Sequence, residues 1–201
     1  MNDSTSKNGF QGEKVPSNPP HTTTFIITPD FENKKVSSVR RGNSASDSQP
    51  LYIATSKSGK PHVTLAQGST TSTIGTATFH KFTSFNTDLQ YNGQKITMWP
   101  GLSTGSHQFL YPGMGKLEWR TEGGKNEVEL RDGREKTLAR LCDLKAIGRT
   151  ETELIMEIKC SEEFEVFLVL SAIALGVRSH LLIASLEGAI GVTAVGTGVG
   201  G

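Results

Sequence analysis

Basic side chains recur at short intervals in the second half of the chain. Arginine suits phosphate recognition, because its guanidinium offers paired donors that match two phosphate oxygens. The basic residues are Lys116, Arg120, Arg131, Arg134, Lys136 and Arg140. On neighbouring strands or turns they would converge into a ligand site for an anionic head group. The alternative interpretation is a mixed-charge outer wall, since the same stretch also contains Glu118, Glu127 and Glu129.

The spacing of the histidines and cysteines gives little indication of a metal site. The five histidines do not have the spacing of a zinc pair, and neither Cys142 nor Cys160 has a CxxC neighbour. We therefore predict no metal, no cofactor and no enzymatic activity. An enzyme that assembles its polar groups in a deep pocket is the open alternative.

Net charge and composition limit which kinds of binding partner and which cellular location the sequence predicts. The chain of 201 residues carries 21 Lys and Arg against 20 Asp and Glu, a net charge of +1. Nucleic-acid-binding domains ordinarily show a strong basic excess, so we predict no nucleic-acid partner. Two cysteines and a start without an apolar leader region predict an intracellular, cytoplasmic protein. Peripheral attachment to the inner face of a membrane is compatible with that location.

The elements that must position these residues fall into three zones. Residues 1–49 are rich in Ser, Thr, Asn, Pro and Gly, which predicts a disordered arm. Within it, the β-branched and aromatic run 23–28 is either a short strand added to the domain or a docking peptide. Residues 50–187 are predicted to form the folded domain, and residues 188–201 a flexible Gly-rich tail.

Short segments with a two-residue period fill the folded domain as far as residue 160. Leu117 and Trp119 face one way while their charged neighbours face the other, as in an antiparallel sheet with one wet face. Asn92 and Gly93 mark a two-residue hairpin, because both turn positions need positive φ. Roughly ten strands at spacings of about 8–12 residues predict a mainly β fold, a barrel or a sandwich.

A single helix is predicted over residues 162–186. Ser161 is a suitable N-cap, and three glutamates in the first turn favour the positive end of the helix dipole. Residues 166–177 are apolar on every face apart from Ser171, which is typical of a helix buried in protein or in a bilayer. Because this run of 12 residues is short for a span, we predict a core helix. The alternative is a single-pass or scramblase-like membrane protein that uses residues 164–186 as its span.

Arg178 and His180 follow the apolar run, at the place where the helix is expected to leave the strands. A charge at either position would be costly in the middle of a membrane. We interpret the two residues as polar groups that close the end of the barrel. A small anion site is the second interpretation.

Five motifs in a fixed order resemble the tubby C-terminal-like superfamily, which includes the LURP-one-related and phospholipid-scramblase-like proteins. They lie at residues 51–54, 77–80, 116–120, 138–141 and 164–182. The details are most similar to small, uncharacterised fungal tubby-like proteins. The resemblance implies a closed antiparallel barrel of about twelve strands around a central hydrophobic C-terminal helix. In the founding tubby proteins, Lys and Arg on the barrel surface bind a phosphoinositide head group.

These observations together predict a non-enzymatic binding module. Its expected partners are anionic phospholipid head groups, phosphoinositides among them, or another protein, and we expect a monomer. An intracellular structural or stress-related adaptor, with residues 1–49 as its partner-seeking arm, is a further alternative.

Overall fold

The computed structural model describes residues 22–30, 35–42, 49–70, 72–80, 84–103, 105–121, 127–146 and 149–193. For residues 143–146, 149–150 and 180–193 it describes the backbone alone. Twelve strands precede one C-terminal helix, α1 (Glu162–Thr193). The strands are β1 (Thr23–Pro29), β2 (Val36–Arg41), β3 (Tyr52–Ser56), β4 (Val63–Gln67), β5 (Thr73–Phe79), β6 (Thr87–Tyr91), β7 (Gln94–Pro100), β8 (His107–Tyr111), β9 (Gly115–Thr121), β10 (Glu127–Asp132), β11 (Thr137–Ala146) and β12 (Arg149–Met156).

The strands form one closed antiparallel barrel in which neighbours along the chain are neighbours in the sheet. Closure comes from β1 and β12, which pair from Thr23↔Met156 to Ile27↔Thr152. A closed sheet has no free edge that could pair with another chain. The predicted fold class, a mainly β closed barrel with a C-terminal helix, is confirmed.

The two-residue period sends apolar side chains into the barrel. Leu117 and Trp119 are fully buried, as their spacing predicts. The predicted hairpin turn between β6 and β7 is also confirmed, with Asn92 at φ 48° and Gly93 at φ 74°. Fully buried side chains of the other strands include Phe25, Leu65, Leu89, Phe109, Leu130 and Leu154. The pattern of the sequence therefore fixes which face of each strand is inside.

The barrel begins at Thr23, which corrects the predicted boundary at residue 50. Residues 23–28 lie in β1, and Val36–Arg41 forms β2, which the polar composition of this stretch does not predict. Phe25 and Val39 are fully buried in the common core, and closure of the sheet supplies backbone partners on both sides of β1. Strands this short are stable because the barrel completes their hydrogen bonds. The rest of the predicted arm, residues 1–21, 31–34 and 43–48, lies outside the described residues.

The first half of α1 fills the barrel interior. Aromatic rings of β8 contact rings in the first turns of the helix. The Phe109 and Phe167 ring centroids lie 5.3 Å apart, and the Tyr111 ring is edge-on to Phe164 at 4.6 Å. The wall comes closest at Gly75, where a Cβ would lie 3.1 Å from Leu170 Cδ2. Ten apolar side chains of the helix are buried: Phe164, Val166, Phe167, Leu168, Val169, Leu170, Ala172, Ile173, Ala174 and Leu175. The predicted core helix is therefore confirmed, and strands surround its apolar run.

Ser171 is the polar break in this run, and it has a partner on the wall. Trp119 Nε1 donates a hydrogen bond to Ser171 Oγ at 3.2 Å, and Ser171 Oγ donates to the Leu168 carbonyl at 2.9 Å. Both Trp119 and Ser171 are fully buried. The pair satisfies the indole N–H in the core and fixes the position of the helix along the barrel axis.

Helix α1 is longer than the predicted 162–186, because its backbone stays helical to Thr193. The predicted tail at 188–201 is therefore helical over its first residues, and residues 194–201 lie outside the described residues. No helix within the described ranges combines the length and apolar character that a bilayer crossing needs.

The two ends of the barrel differ in what they present. We call the end at which α1 begins the proximal rim; it carries the turns at 92–93, 112–114 and 133–136. The opposite end, where residues 57–62, 84–86 and 101–103 lie, is the distal rim. Arg178 lies at the distal rim, beside the first residue of β6.

Ser171→Ala tests the bond between helix and wall. The variant leaves the buried Trp119 N–H without an acceptor, which we expect to lower the free energy of unfolding by about 1–3 kcal/mol. Urea denaturation followed by tryptophan fluorescence measures the loss. Ser179→Ala is the control, because the Ser179 hydroxyl donates only to the Leu175 carbonyl of its own helix. We expect that control to stay within about 0.5 kcal/mol of the wild type; equal losses in the two variants would contradict this assignment.

Candidate functional site

The barrel interior is filled, so a ligand site is expected on the outer wall or at the rims. The helix and the inward side chains of the strands occupy the space that an open barrel of this kind would offer to a ligand. In the part of the chain that the structure describes, no group of three or more His, Cys, Asp or Glu side chains is arranged to hold a metal ion.

Three of the six predicted head-group residues are paired with glutamates on the outer wall. Arg120 of β9 lies 2.9 Å from Glu118 and 2.6 Å from Glu135. Arg131 of β10 lies 2.8 Å from Glu129 and 3.6 Å from Glu135. Each of these arginines therefore already holds carboxylate oxygens in the positions that phosphate oxygens would take.

Arg140 of β11 extends the same network across the wall. Its Nε lies 2.9 Å from Glu157, 3.6 Å from Glu127 and 3.7 Å from Glu129. Register explains the convergence, because Glu129 lies directly between Arg120 and Arg140 on the two neighbouring strands. This part of the barrel is the mixed-charge outer wall that the sequence offered as the alternative.

The glutamates of this wall are held in their charged form. Burial alone would raise the pKa of Glu118, but hydrogen bonds from Arg120, Gln108 and Ser106 outweigh it and lower the pKa. The pKa of Glu129 is lowered in the same way, chiefly by Arg131 and Thr137 against the effect of burial. Both carboxylates face outward in the alternation of their strands, yet both are buried beneath the side chains that pair with them.

The other three predicted residues, Lys116, Arg134 and Lys136, lie together at the proximal rim. All three are exposed, and none forms an ion pair within the described ranges. Lys116 begins the outer face of β9, and a Cβ on Gly133 would lie 3.9 Å from the Lys116 carbonyl oxygen. The β8–β9 and β10–β11 turns are therefore adjacent. We call these three side chains the rim cations.

The acidic side chains of the β10–β11 turn are engaged elsewhere. Asp132 Oδ1 accepts hydrogen bonds from the backbone amides of Arg134 at 2.8 Å and Lys136 at 2.9 Å. The amides of Lys136 and Arg134 hold the pKa of Asp132 below its usual value. Glu135 adopts φ 63°, and its carboxylate binds Arg120 on the wall. The turn thus keeps its cations outward while its carboxylates are used internally.

Two exposed apolar side chains lie next to the rim cations. Leu110 pairs with Lys116 across the β8–β9 hairpin and is 60% exposed. Met114, in the turn of that hairpin, is 37% exposed. The sequence analysis missed both residues. The exposure of Leu110 could be predicted from the sequence, because Phe109 is expected to face inward and adjacent residues of a strand face opposite sides.

A cleft of about 350 Å³ opens at the proximal rim beside the start of α1. Tyr52, Tyr91 and Glu162 line it, and Arg41 spans it to reach Glu165 at 3.3 Å. Burial, and then the charge of Glu162, raises the pKa of both tyrosines, so their hydroxyls stay protonated. These residues were not predicted, because their meeting depends on where the helix enters the barrel. The ion pair across the cleft occupies Arg41 and Glu165, and Glu162 leaves a negative charge in the lining.

A second polar cluster lies on the outer wall at Asp88. Its carboxylate accepts hydrogen bonds from Thr97 Oγ1 at 2.8 Å, pairs with Lys95 Nζ at 2.9 Å and contacts His80 Nε2 at 2.9 Å. Burial opposes ionisation, but these donors lower the pKa of Asp88 to about 2. His80 thus follows the last residue of β5 and contacts a neighbour on β6.

Arg178 lies at the distal rim, where helix α1 leaves the barrel. Its Nη1 donates a hydrogen bond to Thr87 Oγ1 at 2.9 Å, and the residue is only 8% exposed. The side chain of His180, the other predicted barrel-end residue, lies outside the described side chains.

Thr97→Val tests the cluster at Asp88 by removing one donor while keeping the side-chain volume. We expect the pKa of Asp88 to rise from about 2 towards its ordinary value of 3.8, as measured by NMR titration of the carboxyl carbon. A carboxylate with a lowered pKa stabilises the fold above pH 3.8 and loses that contribution as the pH falls towards 2. The variant should therefore lose less stability than the wild type between these two values. Thr97→Ser, which keeps the hydroxyl, should titrate like the wild type; a valine variant that does so too would refute the assignment.

Comparison of the chain with protein-family models, with curated proteins and with solved structures found no match to it. The resemblance to tubby-like proteins therefore stays a prediction that rests on the sequence motifs. Function has to be argued from the geometry of the rims and the outer wall.

Proposed function

We propose that this chain is a non-enzymatic binding module that attaches to anionic membrane surfaces through its proximal rim. The observation that supports this proposal is the group of three exposed, unpaired rim cations beside two exposed apolar side chains. Cations attract the surface of an anionic bilayer, while a few apolar side chains insert into its interface. Attachment of this kind is peripheral and reversible.

The distribution of charge on the barrel favours the rim over the wall. Arg120, Arg131 and Arg140 would have to give up glutamate partners at 2.6–2.9 Å before they could bind a head group. Lys116, Arg134 and Lys136 have no such partner to lose within the described part of the chain. The proposed site is therefore half of the set that the sequence predicts.

The shape of the rim also suits a flat surface. The two hairpin turns that carry the rim cations lie side by side, so the three residues share one end of the barrel. Leu110 and Met114 project from the same hairpin. A protein partner with an acidic face is the competing ligand, and vesicle binding separates the two.

Lys116→Ala combined with Lys136→Ala tests the proposal. Each exposed cation near an anionic surface contributes about 1 kcal/mol, so the double variant should bind vesicles roughly 30-fold more weakly. Cosedimentation with phosphatidylcholine vesicles containing phosphatidylserine or a phosphoinositide measures the partition coefficient. Higher salt should weaken wild-type binding, since the attraction is screened.

The matched control for that variant is Lys57→Ala combined with Lys60→Ala. It removes the same charge from exposed lysines at the distal rim, and we expect less than about a threefold effect. Equal losses in the two double variants would show that binding depends on net charge alone. Failure of the wild-type chain to sediment with anionic vesicles at low salt would refute the membrane proposal and favour a protein partner.

A further inference from the structure

Arg178 is a buried cation without an anionic partner in the part of the chain that the structure describes. Its residue exposes only 8% of its surface, and its one hydrogen bond there goes to the neutral hydroxyl of Thr87. Burial lowers the pKa of Arg178, and no carboxylate contributes in the opposite direction. Arginine does not lose its proton in proteins, so the charge remains.

Among the described side chains, no opposite charge acts on Arg178. His107 is an ionisable neighbour, and its pKa is lowered by burial and then by the positive charge of Arg178. A buried charge without a counter-charge is strongly destabilising. On the outer wall, Arg120, Arg131 and Arg140 are paired with glutamates, and Arg178 at the distal rim differs from these three.

The guanidinium remains open to a ligand. Among the described residues, the buried side-chain nitrogen and oxygen atoms that form no hydrogen bond are Arg120 Nε and Arg140 Nε, and Arg140 Nε still has ion-pair contacts with glutamates. The other donors of Arg178 are therefore not sealed in the core and face space that solvent reaches. Helix α1 is also no longer enclosed on all sides at this level, because a Cβ on Gly176 would meet no atom within 4 Å.

We propose that the distal rim binds a small oxyanion, a phosphate or carboxylate group, through the guanidinium of Arg178. One edge of the planar group is fixed by Thr87, which acts as a positioning residue, and the remaining donors present a fork that matches two oxygens of the anion. Thr87 is fully buried, so the hydroxyl that holds this edge of the guanidinium is enclosed by protein. The proposal is independent of the vesicle binding proposed above, since the two rims lie at opposite ends of the barrel.

Thermal unfolding in graded sodium phosphate tests this site, with sodium chloride at equal ionic strength as the reference. A ligand that binds the folded state raises the unfolding midpoint, by about 3 °C at ten times the dissociation constant. Arg178→Met should lose this response while being at least as stable as the wild type without anion, because it removes an unpaired buried charge. Sodium acetate and glycerol 3-phosphate, run in parallel, distinguish a carboxylate, a free phosphate and a head-group phosphate.

Two further variants keep the result interpretable. Lys57→Met removes an exposed cation that belongs to neither proposed site and should keep the full phosphate response. Arg178→Lys retains the charge without the fork, and should bind phosphate roughly tenfold more weakly; it replaces Arg178→Met if that variant does not fold. A wild-type midpoint that follows ionic strength alone, or an equal phosphate response in the wild type and either Arg178 variant, would overturn the proposal.

Discussion

The enclosure of an apolar helix by strands of the same chain is the constraint on which this molecule depends. The helix carries no polar face that could be left in water, and the twelve strands have an apolar face that needs a filling. The helix and the strands bury each other's apolar surfaces. Gly75 lets the wall approach the helix, and the Trp119–Ser171 bond fixes its height in the barrel. Because the interior is full, ligands have access to the outer wall and the two rims.

Charge is organised differently on these surfaces. On the wall, arginine and glutamate alternate across β9, β10 and β11, and register brings opposite charges side by side. At the proximal rim the turn between β10 and β11 uses its two carboxylates internally and leaves its cations outward. At the distal rim, Arg178 lies largely buried and donates a hydrogen bond to the hydroxyl of Thr87. The candidate sites are therefore the places where the pairing of charges on the wall is interrupted.

The sequence carries most of the information about the fold and less about the site. Alternation in β9 and the Asn92-Gly93 turn are local patterns, and both lead to the observed structure. The polar segment Val36–Arg41 is different, because its place as β2 depends on barrel closure, which no local pattern reveals. All six basic candidates are visible in the sequence. Separating the paired from the unpaired ones requires the register between strands, and register is a property of the assembled sheet.

The closure of the barrel also determines the order in which the chain can reach its final state during synthesis. The first strand to be made pairs with the last, and the helix that fills the interior is made after both. Until residue 156 has left the ribosome, β1 has a neighbour on one side only, and the inward faces of all earlier strands lack the helix that covers them. Contacts so distant in sequence form slowly, and intermediates with uncovered apolar strands are prone to aggregation. A nascent chain of this topology therefore has uncovered apolar strand faces until the helix that fills the barrel has been made.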